Sequence, residues 1–238
     1  MDLSEARIAA RQRLIFALDV DSPDRARDYV RLVRPVVSFF KVGLELFLAS
    51  GTDLVEELVA QELRVFLDIK LLDIPATVER AVAAAARRGV TVVTVHADPA
   101  AVAAACRGRQ GSGTKVFVVT LLTSQAHAGS QGSAADVVAA RAAIAAAAGA
   151  DGVIAAGRPE EIAAVRAAGP ALQIICPGIR PAGDAAGDQQ RVVTPGAAIL
   201  AGADYLVVGR PIRDSVEPLL KARAIVEEMA AALRQRES

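Results

Sequence analysis

Only two cysteines occur in the 238 residues, Cys106 and Cys176. They are too few for a disulfide framework, and neither sits in a CxxC or Cys/His cluster that could hold zinc, so no metal site is expected. Net charge is also missing: 27 basic side chains balance 27 acidic ones. No overall field draws the chain to nucleic acid or to an anionic membrane, although a local anion site stays open. Long apolar runs are absent, because the Ala-rich stretch 142–156 is broken by Gly149 and Asp151. The opening MDLSEARIAARQR carries Asp2 and Glu5 and has no apolar centre, so neither a membrane span nor a signal peptide is expected. A reducing, cytoplasmic location follows from these readings. HExxH, GxSxG, P-loop and GxGxxG patterns are lacking, which leaves zinc peptidase, hydrolase and nucleotide-fingerprint readings unsupported. Lysine is scarce as well: Lys41, Lys70, Lys115 and Lys221 stand against 23 arginines. Any position that keeps lysine against that usage is informative.

The composition is 53% hydrophobic and 23% charged, which suits one globular domain spanning residues 1–238. Short β-branched runs alternate with longer Ala/Leu/Val stretches at helical spacing, the pattern of repeated βα units around a buried parallel sheet. Eight strands are expected, at 14–20, 36–43, 64–70, 90–97, 115–122, 152–157, 172–178 and 205–210. Helices are expected at 23–33, 54–61, 76–88, 135–148, 159–168 and 216–233, with Pro23, Pro75 and Pro159 near starts and Gly89, Gly149 and Gly169 near ends. The segments AGADGVIAAG from Ala148 and AGADYLVVG from Ala201 form a weak internal repeat. Eight units in this length fit a single-domain α/β fold, the (β/α)8 TIM barrel, better than an open sheet. The Gly-rich 107–113 leads into strand five and belongs at the bottom. The loops 124–133 and 177–191 follow strands and belong at the top, where barrel enzymes work.

Polar residues gather at the expected strand ends: Asp19, Lys41, Asp68, Lys70, His96, Thr120, Thr123 and then Gly209 and Arg210. Buried barrel strands should be apolar, and each unpaired buried charge costs several kcal/mol. The densest cluster is FLDIKLLDIPATVE, residues 66–79. Strand alternation turns Asp68 and Lys70 together into the barrel mouth while Ile69 packs outward, and Asp73 follows once the chain has left the strand. With Lys41 one strand away, ammonium groups and carboxylates alternate and can hold one another ionised. An ammonium can act as a general acid near neutral pH, which a guanidinium cannot. A purely structural ion-pair network is the competing reading. A second cluster points to an anion: loops seven and eight supply Arg180, Gln189, Gly209 and Arg210, and 183–190 reads as a lid over the ligand. His127, in a Ser/Gly-rich loop, reads as surface filler.

These motifs, ALD (17–19), FKVG (40–43), FLDIKLLDIP (66–75), VHA (95–97), LTS (122–124), PGIR (177–180), DQxR (188–191) and VVGR (207–210), resemble the orotidine 5'-phosphate decarboxylases in order and spacing. The resemblance covers 17–210. It implies a lyase of pyrimidine (UMP) biosynthesis that converts orotidine 5'-monophosphate to UMP and carbon dioxide without cofactor or metal, as a homodimer with sites at the subunit interface. Carried over by motif, Lys70 is the proton donor and Asp68 and Lys41 complete the catalytic array. Asp73 and Thr77 reach the partner's site, Asp19 and Lys41 hold the ribose, Thr123 lies near the pyrimidine, and Arg180, Gln189, Gly209 and Arg210 serve the phosphate and closing loop. Many bacterial members carry histidine where this chain has Leu72, so no role is carried over there. Two alternatives are a magnesium-dependent phosphosugar decarboxylase or aldolase of the same superfamily and a non-catalytic phosphate-ligand barrel. The phosphosugar relatives typically have a carboxylate in place of Lys41 and lack the DIP and PGIR motifs; an intact Lys70 argues against a mere binding barrel.

Overall fold

A computed structural model describes residues 1–121, 133–184 and 193–237. Eight parallel strands close into a barrel in sequence order: β1 (Leu14–Ala17), β2 (Phe39–Gly43), β3 (Arg64–Leu71), β4 (Val92–His96), β5 (Lys115–Val119), β6 (Gly152–Ile154), β7 (Gln173–Cys176) and β8 (Tyr205–Val208). The last strand pairs with the first through Leu14 opposite Leu206 and Phe16 opposite Val208. Helices α1 (Leu3–Arg13), α2 (Pro23–Val33), α3 (Leu44–Ser50), α4 (Asp53–Ala60), α5 (Pro75–Arg87) and α6 (Pro99–Gly108) belong to the first half of the chain. The second half adds α7 (Ala134–Ala147), α8 (Pro159–Ala168), α9 (Pro195–Ala201), α10 (Arg210–Arg213) and α11 (Pro218–Glu237).

Strand alternation sorts the apolar residues into two layers. Ile15, Phe39, Phe66, Val92, Phe117 and Ile175 fill the barrel, while Leu14, Phe16, Val65, Leu67, Val116 and Ile174 pack outward under the helices. Phe117 fills space that Gly152 leaves open: a Cβ on Gly152 would stand 2.4 Å from the Phe117 ring and 2.3 Å from the Gln173 carbonyl. Polar side chains line the lower end of the strands. Lys115 Nζ donates to Gln173 Oε1 at 2.8 Å, and the Arg64 guanidinium lies 4.4 Å from the centre of the Phe39 ring. One of the four lysines is thereby explained structurally.

Several expected boundaries shift. β1 ends at Ala17 and β8 at Val208, so Asp19 stands beyond its strand and Arg210 begins α10. The helix α1 was not anticipated. Its opening residues form a capping box, with Asp2 Oδ1 accepting from the Glu5 N–H and Glu5 Oε2 accepting from the Asp2 N–H, a device worth about 1 kcal/mol. Of its residues only Ala6 and Ala10 are buried, too small a stripe to stand out as periodicity. Among the described residues no helix is long and apolar enough to cross a membrane.

Candidate active site

The upper rim of the barrel carries an alternating row of charges supplied by the loop after β1 and by strands β2 and β3. Lys41 sits in the middle of β2 with its side chain only 11% exposed. Its Nζ donates to Asp19 Oδ1 at 2.7 Å and lies 3.8 Å from Asp68 Oδ2. Asp68, equally withdrawn from solvent, accepts from Lys70 Nζ at 2.9 Å through Oδ1. The order Asp19, Lys41, Asp68, Lys70 therefore runs without two like charges adjacent, and each ammonium meets a carboxylate. Removing one member would leave a partly buried charge uncompensated, which typically costs about 3–5 kcal/mol for a fully buried pair and less at a rim open to water.

Local chain geometry makes this row possible. Gly43, two residues after Lys41, leaves room for the first pair: a Cβ there would lie 3.0 Å from Lys41 Nζ and 3.3 Å from Asp19 Oδ1. In β3 the side chains of Asp68 and Lys70 do share the barrel face and Ile69 packs outward, as alternation predicts. The strand is not regular, however. Leu67 pairs with Val93 and Leu71 with Val95, so three residues of β3 stand opposite one of β4, and Lys70 takes φ of 50°. Bulges of this kind re-aim side chains at functional sites, and a positive φ in a lysine stores backbone strain.

Below the charges, a cavity of about 210 Å³ is walled by Phe66, Val119, Leu121, Ile154, Ile175 and Val207, with Lys41, Asp68 and Lys70 at its edge. This is an apolar slot with ionic groups on one side. Continuous with it through Lys41, Pro177 and Val207 is a more open basin of about 360 Å³ lined by Asp19, Arg180, Gly209, Arg210 and Arg213. Arg180 is buried and donates to the Ile179 carbonyl at 2.8 Å. Arg213 donates to the Asp19 carbonyl at 2.7 Å and pairs with Asp214, whose carboxyl is held below the ordinary range chiefly by that guanidinium. The basin thus offers concentrated positive charge in a setting suited to an anion.

The structure brings together Asp19, Lys41, Asp68, Lys70, Arg180, Gly209 and Arg210. It sets Asp73 apart: the residue is exposed, accepts from the Ile74 N–H at 2.6 Å, and does not line either cavity. Thr77 lies half-buried in the first turn of α5, its N–H donating to the Ile74 carbonyl. Thr123 and Gln189 lie outside the described residues, as do His127 and most of the expected lid. Three contributors were missed by sequence reasoning: Gly43, Arg213 and Thr94. Thr94 is fully buried, donates its hydroxyl proton to Asp68 Oδ1 at 3.0 Å and accepts from the Lys70 N–H at 3.0 Å. Its only sequence signal was a polar residue on the inward parity of β4. His96, two residues on, is kept below the usual imidazole range by burial first and then by Lys70 and Arg141.

A closed parallel barrel with a proton-bearing ionic row above an apolar slot, beside an arginine-lined basin, defines a (β/α)8-barrel enzyme built for chemistry on an anionic ligand. The chain belongs to the orotidine 5'-phosphate decarboxylase / HUMPS family, whose sequence model matches residues 12–225. It is 49% identical over 234 residues to an orotidine 5'-phosphate decarboxylase of Methylobacterium sp. (strain 4-46), covering 94% of this chain and 98% of the relative. A second relative with that name, from Bradyrhizobium diazoefficiens, is 44% identical over 237 residues, with 97% and 99% covered. The crystal structure of orotidine 5'-phosphate decarboxylase from Lactobacillus acidophilus superposes with a TM-score of 0.78 at 33% identity, over 91% of this chain and 98% of that one.

Proposed function

We propose that this chain decarboxylates orotidine 5'-monophosphate to UMP and carbon dioxide, a step of pyrimidine biosynthesis, with Lys70 as the proton donor. The observation that carries the reading is the Asp68 carboxylate held 2.9 Å from Lys70 Nζ and 3.8 Å from Lys41 Nζ at the edge of the apolar slot. The pyrimidine occupies the slot and the phosphate takes the basin with Arg180 and Arg210, joined by Gln189 and the Gly209 backbone. The ribose hydroxyls lie at Asp19 and Lys41, and the motif resemblance assigns Thr123 to the pyrimidine.

Breaking the bond between C6 and the carboxylate leaves its electron pair on C6, where delocalisation is poor. A fixed ammonium lowers the energy of that developing charge and then delivers a proton to C6, leaving a neutral amine that regains its proton from water. The most demanding enzymes lower barriers by about 23 kcal/mol, more than one ammonium supplies. Binding energy from the phosphate basin therefore contributes by organising the ionic row.

The whole chain, residues 1–238, acts as one barrel domain in the cytoplasm, as a homodimer in which Asp73 and Thr77 reach the partner's site. Support for the dimer comes from exposed apolar side chains flanking Asp73, namely Leu72 and Ile74 at 62% and 66% exposure, with Leu44 and Leu48 also exposed on α3. No metal or organic cofactor takes part in the proposed step, and among the described residues no group of three His, Cys, Asp or Glu side chains is placed to hold a metal ion. The test is the loss of orotidine 5'-monophosphate absorbance on adding purified protein, with and without chelator. Turnover insensitive to the chelator is expected. No turnover, or a chelator-sensitive rate restored by magnesium, would overturn this assignment.

A further inference from the structure

We propose that Thr94 is a positioning residue for the proton-transfer step, acting through both Asp68 and Lys70. The inference rests on the functional reading above and on one feature of the barrel wall. Between the pairs Leu67–Val93 and Leu71–Val95, three residues of β3 face a single residue of β4, and that residue is Thr94. A regular parallel ladder would pair the Lys70 N–H with a backbone carbonyl on the neighbouring strand. Here the bulge and the φ of 50° direct it to the Thr94 hydroxyl at 3.0 Å instead. Because an N–H only donates, the hydroxyl oxygen must accept there, and its one proton is left for Asp68 Oδ1, also at 3.0 Å. Asp68 Oδ1 in turn accepts from Lys70 Nζ at 2.9 Å.

These three contacts close a loop: Lys70 backbone to Thr94 hydroxyl, hydroxyl to Asp68, Asp68 to the Lys70 ammonium. The loop fixes the main chain of the proton donor and the carboxylate beside its ammonium with one side chain that is itself fully buried. No substrate contact is required of Thr94. Valine has the same branched shape but lacks the donor and acceptor, so it removes the loop while filling the same space. Serine keeps the hydroxyl and loses only a methyl group. A group shifted by about 1 Å from its productive position can cost about 100-fold in rate. Substrate binding by the phosphate basin, on the other side of the mouth, should be much less affected.

The experiment measures kcat and KM for orotidine 5'-monophosphate with wild type, Thr94→Val and Thr94→Ser. The expected result is a kcat for Thr94→Val lower by about 100-fold, KM within about threefold of wild type, and a kcat for Thr94→Ser restored to within about fivefold. A Thr94→Val enzyme with kcat within about twofold of wild type overturns the inference, as does a Thr94→Ser enzyme as slow as Thr94→Val. Should the valine variant fail to fold, Thr94→Ser and Thr94→Ala decide the question. Fast serine with slow alanine upholds the role; equal rates in the two overturn it. Wild type included in every series separates the two claims, since an inert wild type defeats the decarboxylase reading itself, whereas an active wild type matched by Thr94→Val defeats only the positioning role.

Discussion

Lys41 Nζ reaches Asp19 Oδ1 at 2.7 Å, and residue 43, which has no Cβ, leaves room for the approach. Gly43 has φ of −85°, a conformation open to any residue, so alanine there would strain no backbone. Its methyl group would instead stand 3.0 Å from the ammonium, close enough to push it by a few tenths of an ångström. Gly43→Ala is therefore expected to lower kcat/KM by about tenfold or more while the melting temperature stays close to wild type. Steady-state kinetics alongside thermal unfolding check this, and a fully active variant would show that the Lys41–Asp19 pair adjusts freely.

Lys70→Arg keeps a positive charge beside Asp68 but gives up a transferable proton. Turnover should nearly vanish while far-UV circular dichroism remains unchanged. Retention of about a tenth of the wild-type rate would remove Lys70 from the proton-donor role.

The eight strands were legible because buried parallel strands demand β-branched runs, and the ionic row was legible because charges at strand ends are too costly to be accidental. Boundaries were less so: nothing in LIFALDV says that pairing stops at Ala17 and leaves Asp19 on the following loop. The bulge in β3 left no trace either, since a lysine rather than a glycine occupies the left-handed position. Thr94 was hidden for a related reason. Threonine is an ordinary strand residue, and only the three-to-one register opposite it gives its hydroxyl two polar partners. Asp73 stands out in the motif but lines neither the slot nor the basin.

Arg210 lines the basin next to Arg180 and Asp19. If it grips the phosphate, Arg210→Ala should reduce turnover of the nucleotide far more than turnover of the phosphate-free nucleoside, because the lost interaction belongs to the phosphate. Competition assays with both substrates measure the ratio directly. Equal losses on the two would make Arg210 a structural residue.

His96 supplies a pH dependence whose sign is fixed. Burial, then Lys70 and Arg141, hold its folded value below the unfolded 6.5, so the unfolded chain binds a proton more readily. The neutral imidazole's contribution is fully present above about pH 6.5 and is lost as the pH falls through the folded value. Urea midpoints measured from about pH 8 to about pH 5 should fall less steeply in His96→Asn than in wild type. Parallel slopes would mean that other groups set the acid limb.

Asp73 offers the sharpest test of a shared site, because it is exposed between Leu72 and Ile74 and lines neither the slot nor the basin of its own chain. If it reaches across a two-fold interface, each active site takes Lys70 from one subunit and Asp73 from the other. Homodimers of Lys70→Ala and of Asp73→Ala should then each be nearly inactive. In a mixed dimer one site collects both lesions and the other collects neither. Free exchange of equal amounts makes about half the dimers mixed, so about a quarter of wild-type sites should reappear. Recovery needs no new contact, only reassortment of subunits. Activity that stays at the parental level after exchange is verified by mass or label would place both residues in one subunit, and Asp73 would then have no part across the interface.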